Sequence, residues 1–191
     1  ISKLINSVSS LFFKNNFMKL YEKNYIASNF SREMFNGLDM SFGLEYAERK
    51  PLFNTTDYAV IKSEDQYSSN HPLLPLDETS AIIDRHNLVK MNIGARIKFG
   101  QEYITRPDGK YNLGNDKYPS IAINYEKGMA GNEDNYNYDK LSARLQYSLT
   151  LKNKGEIDIN TKAGKFFNAD GISIVDFQHF NGNQTHVVFG T

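Results

Sequence analysis

Between residues 141 and 151 the odd positions are Leu141, Ala143, Leu145, Tyr147, Leu149 and Leu151, and the even ones are Ser142, Arg144, Gln146, Ser148 and Thr150. Successive side chains of a β-strand point to opposite faces, so this pattern gives one apolar and one polar face; helical spacing would mix the two. The same pattern runs through 89–99, where Val89, Met91, Ile93, Ala95, Ile97 and Phe99 alternate with Lys90, Asn92, Gly94, Arg96 and Lys98. It returns in 38–46, with Leu38, Met40, Phe42, Leu44 and Tyr46 against Asp39, Ser41, Gly43 and Glu45. Segments this long exceed the usual strand of about 5–6 residues and match the ~9–11 that a tilted strand needs to cross a bilayer.

Weaker strands fill the intervals. Residues 25–35 lead into Asn36-Gly37, the preferred dipeptide of a two-residue type I′ hairpin, and 38–48 return from it. Ile121, Ile123 and Tyr125 mark another strand, and the turn at 152–155 leads into Ile157, Ile159, Thr161 and Ala163. The stretches 172–180 and 185–190 read as less regular strands. At the N-terminus Leu4, Ile5, Val8, Leu11 and Phe12 form the stripe of a short amphipathic helix within 1–13.

Composition narrows the class. With 22 Lys+Arg against 22 Asp+Glu there is no global basic footprint, so no nucleic-acid partner is expected. Zero Cys excludes disulfides, thiol nucleophiles and thiolate metal sites. A mean hydropathy of -0.54 and the lack of any run of 18 apolar residues exclude a transmembrane helix, while abundant Phe and Tyr argue against disorder. A transmembrane β-barrel passes this screen, because only alternate residues meet lipid. Tyr46, Phe99, Tyr103, Tyr118, Tyr125, Tyr138 and Phe167 stand where an interfacial aromatic girdle would, although Trp is lacking.

Link lengths suggest sidedness. Outer-membrane barrels have short periplasmic turns and long outer loops. The turns at 36–37 and 152–155 fit the short side, the link through 104–119 is long for it, and 49–85, with Pro51, Pro72 and Pro75, reads as a large extracellular loop.

Sites of chemistry are sparse. No nucleophile elbow, zinc-protease helix, phosphate loop or dinucleotide fingerprint occurs. His71, His86, His179 and His186 are the histidines; His179 and His186 flank a turn with Asp176 nearby, a pattern that a polar loop explains better than a metal or acid–base site. Glu133, Asp134 and Asp139 lack the spacing of a Ca²⁺ loop. Asn54 and Asn183 begin glycosylation sequons of the kind that arises by chance. The expectation is therefore no enzyme, no catalytic residue, no cofactor and no metal.

The segments 12–26 (FFKNNFMKLYEKNYI), 32–40 (REMFNGLDM), 46–58 (YAERKPLFNTTDY), 104–128 and 177–187 (FQHFNGNQTHV) resemble a large family of Bacteroidota outer-membrane proteins. The resemblance implies a carboxypeptidase-regulatory-like β-sandwich ahead of a membrane β-barrel that is itself similar to BamA-like surface-antigen barrels. It implies no peptidase activity, since the regulatory module is not the zinc-bearing one. It further implies a sandwich before Ile1 and strands after Thr191, making this chain an interior part of a barrel.

The resulting expectation is a single all-β domain over 1–191, an antiparallel up-and-down transmembrane β-barrel, partial, with about 6–8 strands and a short N-terminal helix. Its partners would be the lipid bilayer of the bacterial outer membrane and other outer-membrane proteins, in transport or envelope biogenesis, as a pore or a subunit. Two alternatives remain. One is a soluble antiparallel barrel or sandwich binding a small ligand or protein, whose apolar stripes pack inward; the other is an outer-membrane enzyme using Asp176 and His179.

Overall fold

The computed structural model describes residues 2–61, 66–74, 77, 79–81, 83–114, 117–131, 136–151 and 154–177. Among the described residues eight strands follow one helix: α1 (Lys3–Phe13), β1 (Tyr21–Phe35), β2 (Leu38–Pro51), β3 (His86–Lys98), β4 (Tyr103–Arg106), β5 (Gly109–Asn112), β6 (Ser120–Ala130), β7 (Tyr138–Thr150) and β8 (Glu156–Phe167). Six strands form one sheet in the order β1-β2-β3-β6-β7-β8, and β4 and β5 form a second, two-stranded one. The printed pairings β3·β6, β6·β7 and β7·β8 are all antiparallel. The sheet is open, with β1 and β8 as its edges among the described residues.

Contacts divide the chain into two compact units. The first comprises Ile1–Asn24, Glu48–His86 and Ser173–Thr191; the second, Tyr25–Ala47 and Asn87–Ile172, holds most of the sheet.

In the second unit the alternation becomes two faces of unlike chemistry. Register places Ala95, Ile123, Ala143 and Ala163 in one cross-strand row and Ile97, Ile121, Leu145 and Thr161 in the next on the same face. That face is uncovered: Leu141, Leu145 and Leu149 are 45%, 37% and 37% exposed, and Ile93, Ile123, Ile157 and Ile159 are also exposed, as are Met40, Phe42 and Leu44 of β2. Leu141, Leu145 and Leu149 are thus not packed into a closed interior, as an inward-facing soluble barrel would require. The opposite face carries Gly94, Asn124, Ser142 and Gly164 in one row, and Ser41 of β2 reaches Gly94.

Tyr138 corrects the aromatic girdle expected from sequence. Its even position puts it on the polar face, opposite Gly128 and 1% exposed. Its hydroxyl donates to Glu126 Oε1 at 2.6 Å, and its ring meets Phe166 edge-on at 6.0 Å. A Cβ on Gly128 would overlap the Tyr138 ring. Gly128→Ala is therefore expected to destabilise by about 1–3 kcal/mol through overpacking. Urea unfolding checks this, and in a Tyr138→Ala background the penalty should vanish; an undiminished penalty would place the strain in the backbone instead. Tyr46, Phe99, Tyr103, Tyr118 and Phe167 are exposed, whereas Tyr125 is half-buried with its hydroxyl on Asp139 at 2.5 Å.

Asn36-Gly37 does turn the chain, but not as type I′. Gly37 has φ +80°, while Asn36 keeps a negative φ. A positive φ at the second turn position alone belongs to type II turns and G1 bulges. The Asn36 side chain holds it there, donating to Gln101 O at 2.5 Å and accepting from Lys110 Nζ at 2.9 Å.

In the first unit, α1 begins on the Ser2 cap and forms within the stretch its stripe predicted. Leu4, Ile5, Val8, Leu11 and Phe12 remain exposed. The link after β2 contains no described helix or strand up to β3, yet side chains tie down its segment 68–70. Asn70 Oδ1 accepts from Leu20 N at 2.7 Å, and Asn70 Nδ2 donates to Leu52 O at 2.9 Å. Lys19 Nζ donates to Ser68 Oγ and Ser69 O at 2.7 and 2.6 Å, and burial pulls its pKa down. The strand expected over 172–180 is instead a short 3-10 turn at Ile174–Asp176, where Ser173 caps Val175 N; residues 178–191 lie outside the described ones.

Candidate functional site

A cavity of about 480 Å³ lies in the second unit, at the turn end of the polar face. Its floor is the cross-strand row Lys98, Ser120 and Gln146, continued by Ser148. Phe99 and Tyr147 also line it. Gln101, Asn112, Leu113, Gly114, Tyr118 and Pro119 contribute from the segments flanking the β4–β5 hairpin.

The link expected to be a long loop therefore contains a hairpin, and side chains fasten it to the sheet. Lys110 Nζ donates to Glu33 Oε1 at 2.6 Å and lies 4.6 Å from the Tyr103 ring centroid. Gln101 Nε2 donates to Leu113 O at 2.6 Å, closing the base of the hairpin together with Leu113 N to Glu102 O at 2.8 Å. At the tip Tyr111 donates to Asp108, which pushes the phenol pKa up. Lys98 Nζ sits 3.2 Å from Asp39, and Lys98 N donates to Gly37 O at 2.7 Å. The cavity thus offers amides, hydroxyls and one lysine that already has a carboxylate. A volume of this size is that of a small-molecule pocket, ~300–1,000 Å³.

Among the described residues, those weighed from sequence do not assemble elsewhere into a site. Asp176 has both carboxylate oxygens on Arg49, at 2.5 and 3.0 Å, with each side chain 1% exposed. Its proposed companions His179 and His186, with Asn183, lie outside the described residues. So do Glu133 and Asp134 of the acidic segment, while Asp139 accepts from Tyr125, Lys127 and Asn168, at 2.5, 3.0 and 2.8 Å, which are donors rather than co-ligands. His71 Nδ1 accepts from Leu73 N and Leu74 N, and His86 Nδ1 lies 2.7 Å from Asp84 O. Asn54 Nδ2 is bonded to Ser68 O at 3.0 Å. Among the described residues no group of three His, Asp or Glu could hold a metal ion.

Sequence reading missed the cavity because it treated 104–119 as one loop. The signal was present in Arg106-Pro107-Asp108-Gly109-Lys110: Pro presets the turn and Gly109 takes φ +144°.

The model of a family of unknown function (DUF5686), C-terminal domain, matches residues 1–191. No curated protein and no solved structure matches the chain.

Proposed function

The chain belongs to that family, and from this premise we propose that it is a non-enzymatic segment of an outer-membrane β-barrel, acting in transport or envelope biogenesis as a pore or a subunit of a larger complex. The observation that carries the reading is the uncovered apolar face, continuous across β3, β6, β7 and β8 and opposite a charged, small-residue face. In water an exposed apolar area of that extent is an interaction surface; in a bilayer it is the lipid-facing belt. Strand length supports the same reading, since the six sheet strands run 11 to 15 residues and about 9–11 span a hydrocarbon core. The row Gly94, Asn124, Ser142 and Gly164 supports it again, because small groups on one face leave room for a sheet to curl toward that face. The lumen would then be polar and the open edges β1 and β8 would need strand partners. Among the described residues no helix is long and apolar enough to cross a membrane, which says nothing of strands.

Fractionation tests the reading. The protein is expected in the outer-membrane fraction, extracted only by detergent, and to migrate faster on a gel unheated than boiled. Recovery as a freely soluble monomer would overturn it in favour of the soluble β-protein, for which the cavity under the β4–β5 hairpin would be the ligand site.

A further inference from the structure

Beside the cavity floor, one cross-strand row sets like charges directly opposite one another between β7 and β8. Register sets Arg96 opposite Ala122, Ala122 opposite Arg144, and Arg144 opposite Lys162. Three cations of β3, β7 and β8 thus share one row of the polar face, separated only by an alanine. All three are exposed. Like charges directly opposite one another destabilise a strand pair, and opposite charges there stabilise it. With strands ~4.8 Å apart, Arg144 and Lys162 are immediate neighbours and Arg96 stands about 10 Å from Arg144. Among the described residues neither Arg96 nor Arg144 has a carboxylate within ion-pair distance.

Three carboxylates of the same face have other partners. Asp39 holds Lys98 at 3.2 Å, Glu126 accepts from Tyr138 at 2.6 Å, and Asp158 accepts from Ser148. The neighbouring rows leave the cations accessible: Gly94, Asn124, Ser142 and Gly164 on one side are small, and Lys98, Ser120, Gln146 and Asn160 on the other include the floor of the cavity. Guanidinium groups present paired N–H donors that match the oxygens of a phosphate or carboxylate. Hydroxyls and amides of the adjoining floor supply neutral donors for the same oxygens or for the body of a solute.

We propose that Arg96 and Arg144 form an anion-binding pair in this row, and that the ligand is a small soluble phosphorylated or carboxylated molecule whose uncharged part occupies the adjoining cavity. A lipid headgroup is the less fitting source, because the row lies on the face opposite the apolar one. The inference needs the register and the face assignment only, and so goes beyond the membrane reading.

The test is titration of the full chain, folded in a neutral detergent, with inorganic phosphate followed by ³¹P line broadening. Saturable binding that weakens with added salt is expected, lost tenfold or more in the Arg96→Gln/Arg144→Gln double variant. Lys165→Gln, which removes one charge from the opposite face, should leave it unchanged. Binding that is equal in wild type and the double variant, or reduced as much by Lys165→Gln, would overturn the proposal. Stability supplies a second readout: relieving repulsion should leave Arg144→Gln at least as resistant to urea as wild type, and a loss would make the arginine a structural group. Because this titration is independent of fractionation, an anion site can fail in an outer-membrane protein or survive in a soluble one, and the two outcomes are told apart.

Discussion

Leu145→Arg is expected to cost about 2–4 kcal/mol of folding free energy in a bilayer, whereas Gln146→Arg, one residue further along β7, should be close to neutral. Leu145 lies well inside Tyr138–Thr150 and pairs with Ile121 and Thr161, on the face where Ile97 also stands. It is 37% exposed, so a larger, charged side chain meets no steric obstacle from the protein itself. Any penalty must then come from the medium. Surface substitutions in water stay within about ±0.5 kcal/mol, while an arginine at the midplane of lipid must be desolvated or must drag water and headgroups inward. Gln146 points to the polar face, where another cation finds water in either reading. The measurement is urea unfolding in liposomes, read by heat-modifiable migration. A Leu145→Arg variant as stable as wild type would remove the lipid-facing assignment, and equal losses at 145 and 146 would mean that neither face is lipid.

The contrast between those adjacent positions was legible in the sequence, because alternation assigns faces within a strand without any structure. What alternation leaves open is the phase of one strand against the next. A two-residue slip of β7 would keep Arg144 on the polar face and carry it out of line with Arg96, so the cationic row exists only once register is known. Strand ends were harder for a related reason. β3 begins at His86 and β7 at Tyr138, three residues before the regular alternation, and there Leu88 and Tyr138 are apolar residues buried on the polar face. They break the pattern that identifies the strand. Tyr138 was misplaced by its type, when its even number would have put it with Ser142 and Arg144. The hairpin of β4 and β5 was hidden differently: its strands have four residues each, too short for periodicity to register, and only turn chemistry betrays them.

Nothing local betrays the ion pair of Arg49 and Asp176, which are 127 residues apart, and Arg49→Met is expected to cost about 3–5 kcal/mol in the first unit. Arg49 stands near the end of β2 and Asp176 in the 3-10 turn Ile174–Asp176. Two parallel N–H···O bonds join them at 2.5 and 3.0 Å, and the guanidinium also lies 5.7 Å from the ring centroid of Tyr21 in β1. With each side chain 1% exposed, water cannot replace a lost partner. Removing the arginine therefore strands a buried carboxylate, and Asp176→Leu strands a buried guanidinium; each single variant should lose more than the pair was worth. The double variant Arg49→Met/Asp176→Leu should recover much of that loss, because two apolar groups leave no charge to solvate. Strongly non-additive urea midpoints are the expected sign of direct coupling, and simple addition of the two penalties would mean that the residues act separately. Limited proteolysis within 52–85 adds the spatial readout. The single variants should be cut there sooner than wild type, since β2 leads directly into that link and the arginine fixes the strand end from which the link starts.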